Sequence, residues 1–96
     1  MISEKILVTI EELINIIYSP DQNGLDRVLL QILDMFDKMI QDMLELGYTV
    51  DMTEELLPLQ NAYMKKDYVE LADILLYDIK PKIQEILCIE KENLNF

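Results

Sequence analysis

Histidine is absent from the 96-residue chain, and with it the commonest general base and the commonest transition-metal ligand. A di-iron carboxylate bundle needs Glu-x-x-His on facing helices, which this sequence lacks. The single cysteine, Cys88, excludes an intramolecular disulfide and points to a reducing compartment. It also has no histidine to activate it as a nucleophile. Its neighbours Ile86, Leu87 and Ile89 predict a buried, inert thiol. Only two glycines and three prolines are present, and no Gly-rich phosphate loop can be assembled. Asp21-Gln22-Asn23-Gly24 has the flavour of a calcium loop. Its glycine comes too early, however, and Ile32 stands where the loop's closing Glu ligand would be needed. No catalytic residue and no cofactor motif emerges, so a non-enzymatic role is expected.

Basic residues are also scarce: eight Lys and Arg face nineteen Asp and Glu, a formal charge of −11. Such a field repels phosphate backbones and anionic lipid, which makes nucleic acid and membrane surfaces poor partners. The apolar runs are all far shorter than the ~18 residues a membrane span needs. The N-terminal stretch has no basic region ahead of an apolar one and does not read as a signal peptide. A cytoplasmic setting is the expectation.

What is present is helical periodicity. Hydrophobic residues make up 51% of the chain, enough for one folded domain over residues 1–96. Four helices are predicted, over about 3–18, 24–46, 53–65 and 67–90, with 91–96 a frayed tail in which Leu94 and Phe96 are the apolar residues. Ile6, Ile10, Leu13 and Ile17 form the first stripe, with Ser3 as its expected N-cap. Ser19-Pro20-Asp21-Gln22-Asn23-Gly24 breaks the chain. The next helix could begin at Pro20, but the Asn-Gly turn signal favours a start near Gly24 with Asn23 as cap.

Leu25, Leu29, Ile32, Phe36, Met39, Met43 and Leu46 then alternate steps of four and three, a heptad seam suited to a bundle. Val28, Leu33, Met35 and Ile40 broaden it. Asp34 and Lys38 are spaced for an ion pair, and Gly47 for a left-handed C-cap. Thr53, Glu54 and Glu55 open the third helix. Asp67 with Glu70 forms a capping box for the fourth, whose apolar face is Tyr68, Leu71, Ala72, Leu75, Ile79, Ile83 and Ile86. Pro58 and Pro81 interrupt these last two patterns and predict kinks. The fold expected is an all-α antiparallel up-down-up-down four-helix bundle with kinks near Pro58 and Pro81.

The run Asp67-Tyr68-Val69-Glu70-Leu71-Ala72-Asp73-Ile74-Leu75-Leu76-Tyr77, continuing to Ile79-Lys80-Pro81, resembles a pattern in small uncharacterised helical-bundle proteins of low-GC Gram-positive bacteria. The resemblance covers about the last third of the chain. It implies a helical fold and a bacterial cytoplasmic setting, and it supplies no catalytic residue. In size and acidity the chain is similar to flagellar-type export chaperones, helical bundles that hold a partner's terminal helix, without sharing a motif with them.

Two constellations remain as candidate sites. Asp26, Asp34, Asp37, Asp42 and Glu45, with Glu70, Asp73 and Asp78, would ordinarily be a solvated face. Read functionally, they form a docking surface that steers a basic partner. Met35, Met39 and Met43 form a row at i+4 steps, mostly core in the ordinary reading, with a groove opening beside Met35 in the functional one. Asp34, Asp37, Glu45 and Met35 are therefore the candidate partner-binding residues. The function expected is a small acidic adaptor or chaperone-like interaction module that binds a helix or basic surface of another protein. The alternative is a carboxylate-based metal or small-ligand binder. Self-association through the helix-two seam, giving a homodimer, is compatible with the first. Tyr63, Tyr68 and Tyr77 surround the Asp67 corner, with their hydroxyls expected at the rim.

Overall fold

The computed structural model of the chain describes residues 1–94, all helix and connections, with no strand among them. The first helix, α1 (Ile2–Ile17), buries Ile6, Ile10, Leu13 and Ile17, the stripe its spacing predicts. It begins one residue earlier than expected, with Met1 as its N-cap and no side-chain cap. Ser3 lies inside the helix and is buried, its hydroxyl turned to the far end of the chain instead of to its own first turn.

The following connection is closed by side chains that the sequence left in other roles. Ser19 Oγ donates to the Ile16 carbonyl at 2.7 Å and Gln22 Nε2 to that of Ile17 at 3.0 Å. The Ile17 carbonyl is one that the end of α1 leaves open, whereas that of Ile16 also accepts the Ser19 amide at 3.1 Å. Gln22 and Gly24 have positive φ, and Gly24 is itself the N-cap of α2 (Leu25–Glu45). Asn23, the expected cap, turns its amide to Asp21 instead. The later start of this helix is correct; the capping residue is not.

In α2, six of the seven seam residues are buried, and Leu46 at the end is exposed. Gly47, at φ +92°, ends the helix in a Schellman motif: its N–H donates to Leu44 and that of Tyr48 to Met43. Lys38 pairs with Asp42 at 3.2 Å, not with Asp34 as its spacing also allowed. The chain then drops buried Met52 into the core before α3 (Thr53–Met64), which carries Pro58 inside it without a break.

A second Schellman motif ends α3, with Lys66 in the left-handed position at φ 57°. Here the Asp67 amide donates to Ala62. The Asp67 side chain caps the next helix, α4 (Tyr68–Ile74), accepting from the Glu70 amide at 3.1 Å. The capping box is thus half formed, because the amide that Glu70 would reach back to is already occupied by the preceding helix end.

A π turn over Leu75–Ile79 joins α4 to α5 (Lys80–Leu94) in one continuous rod. At its end the Lys80 N–H donates to Leu75, five residues back. The position follows from Pro81. A proline ring in a regular α-helix presses on the carbonyl four residues back and donates nothing to it. The helix runs past Glu90 to Leu94, so the part of the expected tail from Lys91 to Leu94 is helical, while Phe96 lies outside the described residues. Cys88 is exposed. The buried stripe of α5 continues Ile79, Ile83 and Ile86 to Glu90, and Cys88 falls between its steps, on the outer side.

The core is built around α1, which packs on α2, α5 and α4, while α3 packs on α4 and the π turn. Lysines of α5 tie this rod to its neighbours: Lys80 to Glu11 at 3.8 Å, Lys91 to Glu4 at 4.0 Å and Lys82 to Glu55 at 2.9 Å. Lys82 also donates to the Asp51 carbonyl.

Candidate interaction surface

The acidic surface and the core seam of α2 are separated by the helix wheel, as the sequence reading requires. Met39 and Met43 are buried, while Asp34, Asp37 and Glu45 are exposed and Met35 is half-buried. Asp34 and Met35 come together beside a shallow groove of about 720 Å³ between α1 and α2, where Val8, 67% exposed, is the other apolar residue of the lining. Glu4, Lys5 and Glu12 bring mixed charge to the same groove. Asp37 and Glu45 do not line it. The four candidate residues are therefore not one site.

A different groove is the more apolar. It lies between α2 and α3, has a volume of about 400 Å³, and is floored by Leu29, Leu30, Leu33, Leu56 and Leu59. Leu30 is 61% exposed, a large apolar side chain left at the surface of a well-packed helix. One end is closed by a hydrogen bond between the walls, in which the Tyr63 hydroxyl donates to Asp26 Oδ1 at 2.6 Å. That bond holds the phenol proton and raises the Tyr63 pKa above its ordinary 10.0, with lesser contributions from desolvation and the nearby Asp26 charge. Asp26, Leu30, Leu33 and Asp37 follow each other at steps of four, three and four, so they run in one line along α2. Asp37 thus belongs beyond the other end of this groove, not with Asp34.

Leu30 falls outside the α2 seam and Leu33 only broadens it, so the 3,4 spacing does not predict this groove. A signal was present. Leu29-Leu30 is a doubled leucine, where a single seam uses one apolar residue per step, and both line the groove. Tyr68 is half-buried, and Tyr77, 73% exposed, borders neither groove.

At the opposite end of α2 lies a smaller cavity of about 200 Å³, bordered by Met1, Asp42, Leu46, Glu90 and Asn93. Glu90 is only 8% exposed; one carboxylate oxygen accepts from Ser3 Oγ at 2.6 Å, and the other has no hydrogen-bond partner. Ser3 and Glu90 occupy the core positions of the outermost turns of α1 and α5. On α3, Glu55 likewise has one oxygen bonded to Lys82 and one without a partner. Near it, Asp51 accepts from the Thr53 hydroxyl at 2.6 Å and the Thr53 amide at 2.9 Å. These bonds, with a smaller effect from Lys82, hold its carboxyl below the ordinary 3.8. Among the described residues no three Asp, Glu, Cys or His side chains converge as metal ligands would. None of the described helices is long and apolar enough to cross a membrane.

No protein-family model, no curated protein and no solved structure matches the chain.

Proposed function

We propose that this chain is a small non-catalytic protein-interaction module, an adaptor or chaperone-like protein acting on another protein in a bacterial cytoplasm. The observation that carries the reading is the apolar groove between α2 and α3, open to solvent at Leu30 and marked at its near end by the carboxylate of Asp26. Apolar surface flanked by charge is the composition of sites that exclude water at their centre and orient a partner at their edge. The bundle is taken to run antiparallel, up-down-up-down, with its rods bent near Pro58 and at the π turn before Pro81. Short connections and the packing of α1 between α2 and α5 support that arrangement.

The test is co-purification of the tagged chain from its native cytoplasm, with identification of what comes down, repeated with Asp34→Asn, Asp37→Asn and Glu45→Gln combined. A specific partner whose association slows in the charge-depleted chain fits the module reading. Recovery of the bare chain under mild conditions contradicts it.

A second reading, carboxylate-based binding of a metal or small ligand, has one observation in its favour. The unpartnered oxygen of buried Glu90 belongs to a side chain that borders the same cavity as Asp42. Two carboxylates are few for a calcium or manganese site. The interaction reading is therefore preferred.

A further inference from the structure

We propose that the groove between α2 and α3 receives a single amphipathic helix from another protein, apolar on the inserted face and flanked by Lys or Arg. This deepens the interaction-module reading and rests on it. α1 is packed on several sides, whereas α2 and α3 face each other across a gap floored by leucines and tied at one end by the Tyr63–Asp26 bond. Leu56 and Tyr63 are seven residues apart, about 10 Å along a helix axis. That is the span from i to i+7 on a partner helix, so three apolar anchors at i, i+3 or i+4, and i+7 match the floor.

Charge selects the occupant. No basic side chain lines the groove, Asp26 stands at one end, and Asp37 continues the same line past Leu33. A helix with basic flanks meets carboxylates at both ends. A second copy of this chain would bring another −11 against the first, and acidic helix faces against acidic walls.

The probe is a fluorescein-labelled helical peptide of about 14 residues, four turns, with Leu at the anchor positions and Lys on both flanks. One control peptide has the same lysines with the leucines replaced by alanine, and another has Glu in place of Lys. The wild-type chain should bind the Leu/Lys peptide and neither control comparably. Leu30→Lys should weaken binding by roughly tenfold or more, since it places a charge on the floor. Leu30 is already exposed, so the fold should survive, and Met64→Lys, at a site 70% exposed outside the groove, should bind as wild type. Amide resonances of Leu29–Asp37 and Leu56–Tyr63 should move on titration, whereas those of α5 should not.

Failure of the wild-type chain to bind the Leu/Lys peptide overturns the proposal. So does equal binding by wild type and Leu30→Lys, or binding of the alanine or Glu control as tight as that of the probe. A concentration-dependent dimer dispersed by Leu30→Lys would also overturn it, by showing a second copy as the occupant. A native partner retained equally by wild type and Leu30→Lys removes the groove proposal and leaves the module reading standing. The absence of any native partner removes the module reading itself.

Discussion

Asp67 shows how one residue can serve two helices. Its amide completes the end of α3 and its carboxylate caps the start of α4, so only Lys65, Lys66 and Asp67 itself separate the two helices. Asp67→Ala should cost about 0.5–2 kcal/mol in unfolding free energy, and Asp67→Asn much less, because asparagine caps nearly as well. Urea midpoints with unchanged slope would measure this, and equal losses from both would contradict the cap. Tyr63 carries a pH signature. Its folded pKa is raised, so the stability from the Tyr63–Asp26 bond is fully present below the ordinary value of 10.0 and is lost as pH rises through the raised one. The stability gap between wild type and Tyr63→Phe should therefore be constant near neutrality and shrink at strongly alkaline pH. A gap that stays constant throughout would show the phenol untied in solution. Sequence spacing made Asp67 legible because capping is local. It could not reveal that Tyr63 meets Asp26, which is a contact between residues 37 apart.

Among the elements, the rod from Tyr68 to Leu94 is the most informative, because a proline inside it is accommodated without an end to the helix. A kink is the expectation at Pro81; what the rod carries one turn before it is a π turn, where the ring would otherwise clash with the turn before it. Pro81→Ala should remove the reason for the widened turn and stabilise the chain by up to about 3 kcal/mol, the difference between the two residues in a helix interior. Denaturant midpoints check the gain, and nitrogen-bound proton exchange at Ile79 and Lys80 should slow as regular bonding returns. Destabilisation instead would show that packing of the rod, and not the proline, sets the turn. Periodicity was a good guide to buried faces here, because Ile79, Ile83 and Ile86 are all in the core. Its phase puts Cys88 outside, and the burial expected there came from apolar sequence neighbours instead. It also stopped one step short of Glu90, because a carboxylate is not counted in an apolar stripe.

At the scale of the whole molecule, the excess of acid is spread over outer faces, while the lysines of α5 are engaged across helices. The exposed pairs, Lys80–Glu11 and Lys91–Glu4, contribute about 0–1 kcal/mol each, so the core and not these ion pairs holds the bundle. Thermal melts with and without chelator should coincide if the interaction reading holds. A rise of several degrees on adding micromolar calcium, manganese or zinc would instead favour the cavity beside Glu90 and Asp42. The all-helical class was legible from the chain because few breakers and regular 3,4 steps leave little else to form. Of the groove only the doubled Leu29-Leu30 was legible, since its opening depends on α2 and α3 remaining apart, and no local pattern encodes the distance between two helices.

The Ser3–Glu90 bond has a consequence in time. Its two residues are separated by 87 positions, so the polar end of the core cannot close until Glu90 has left the ribosome. At 5–20 residues per second, Ser3 is made on the order of ten seconds before its acceptor. During that interval α1 can already fold onto α2, but the apolar side that α5 will cover stays wet. Of these helices α1 is made before α5 and completed only with it, so its isoleucines stay open to nascent-chain chaperones until α5 arrives.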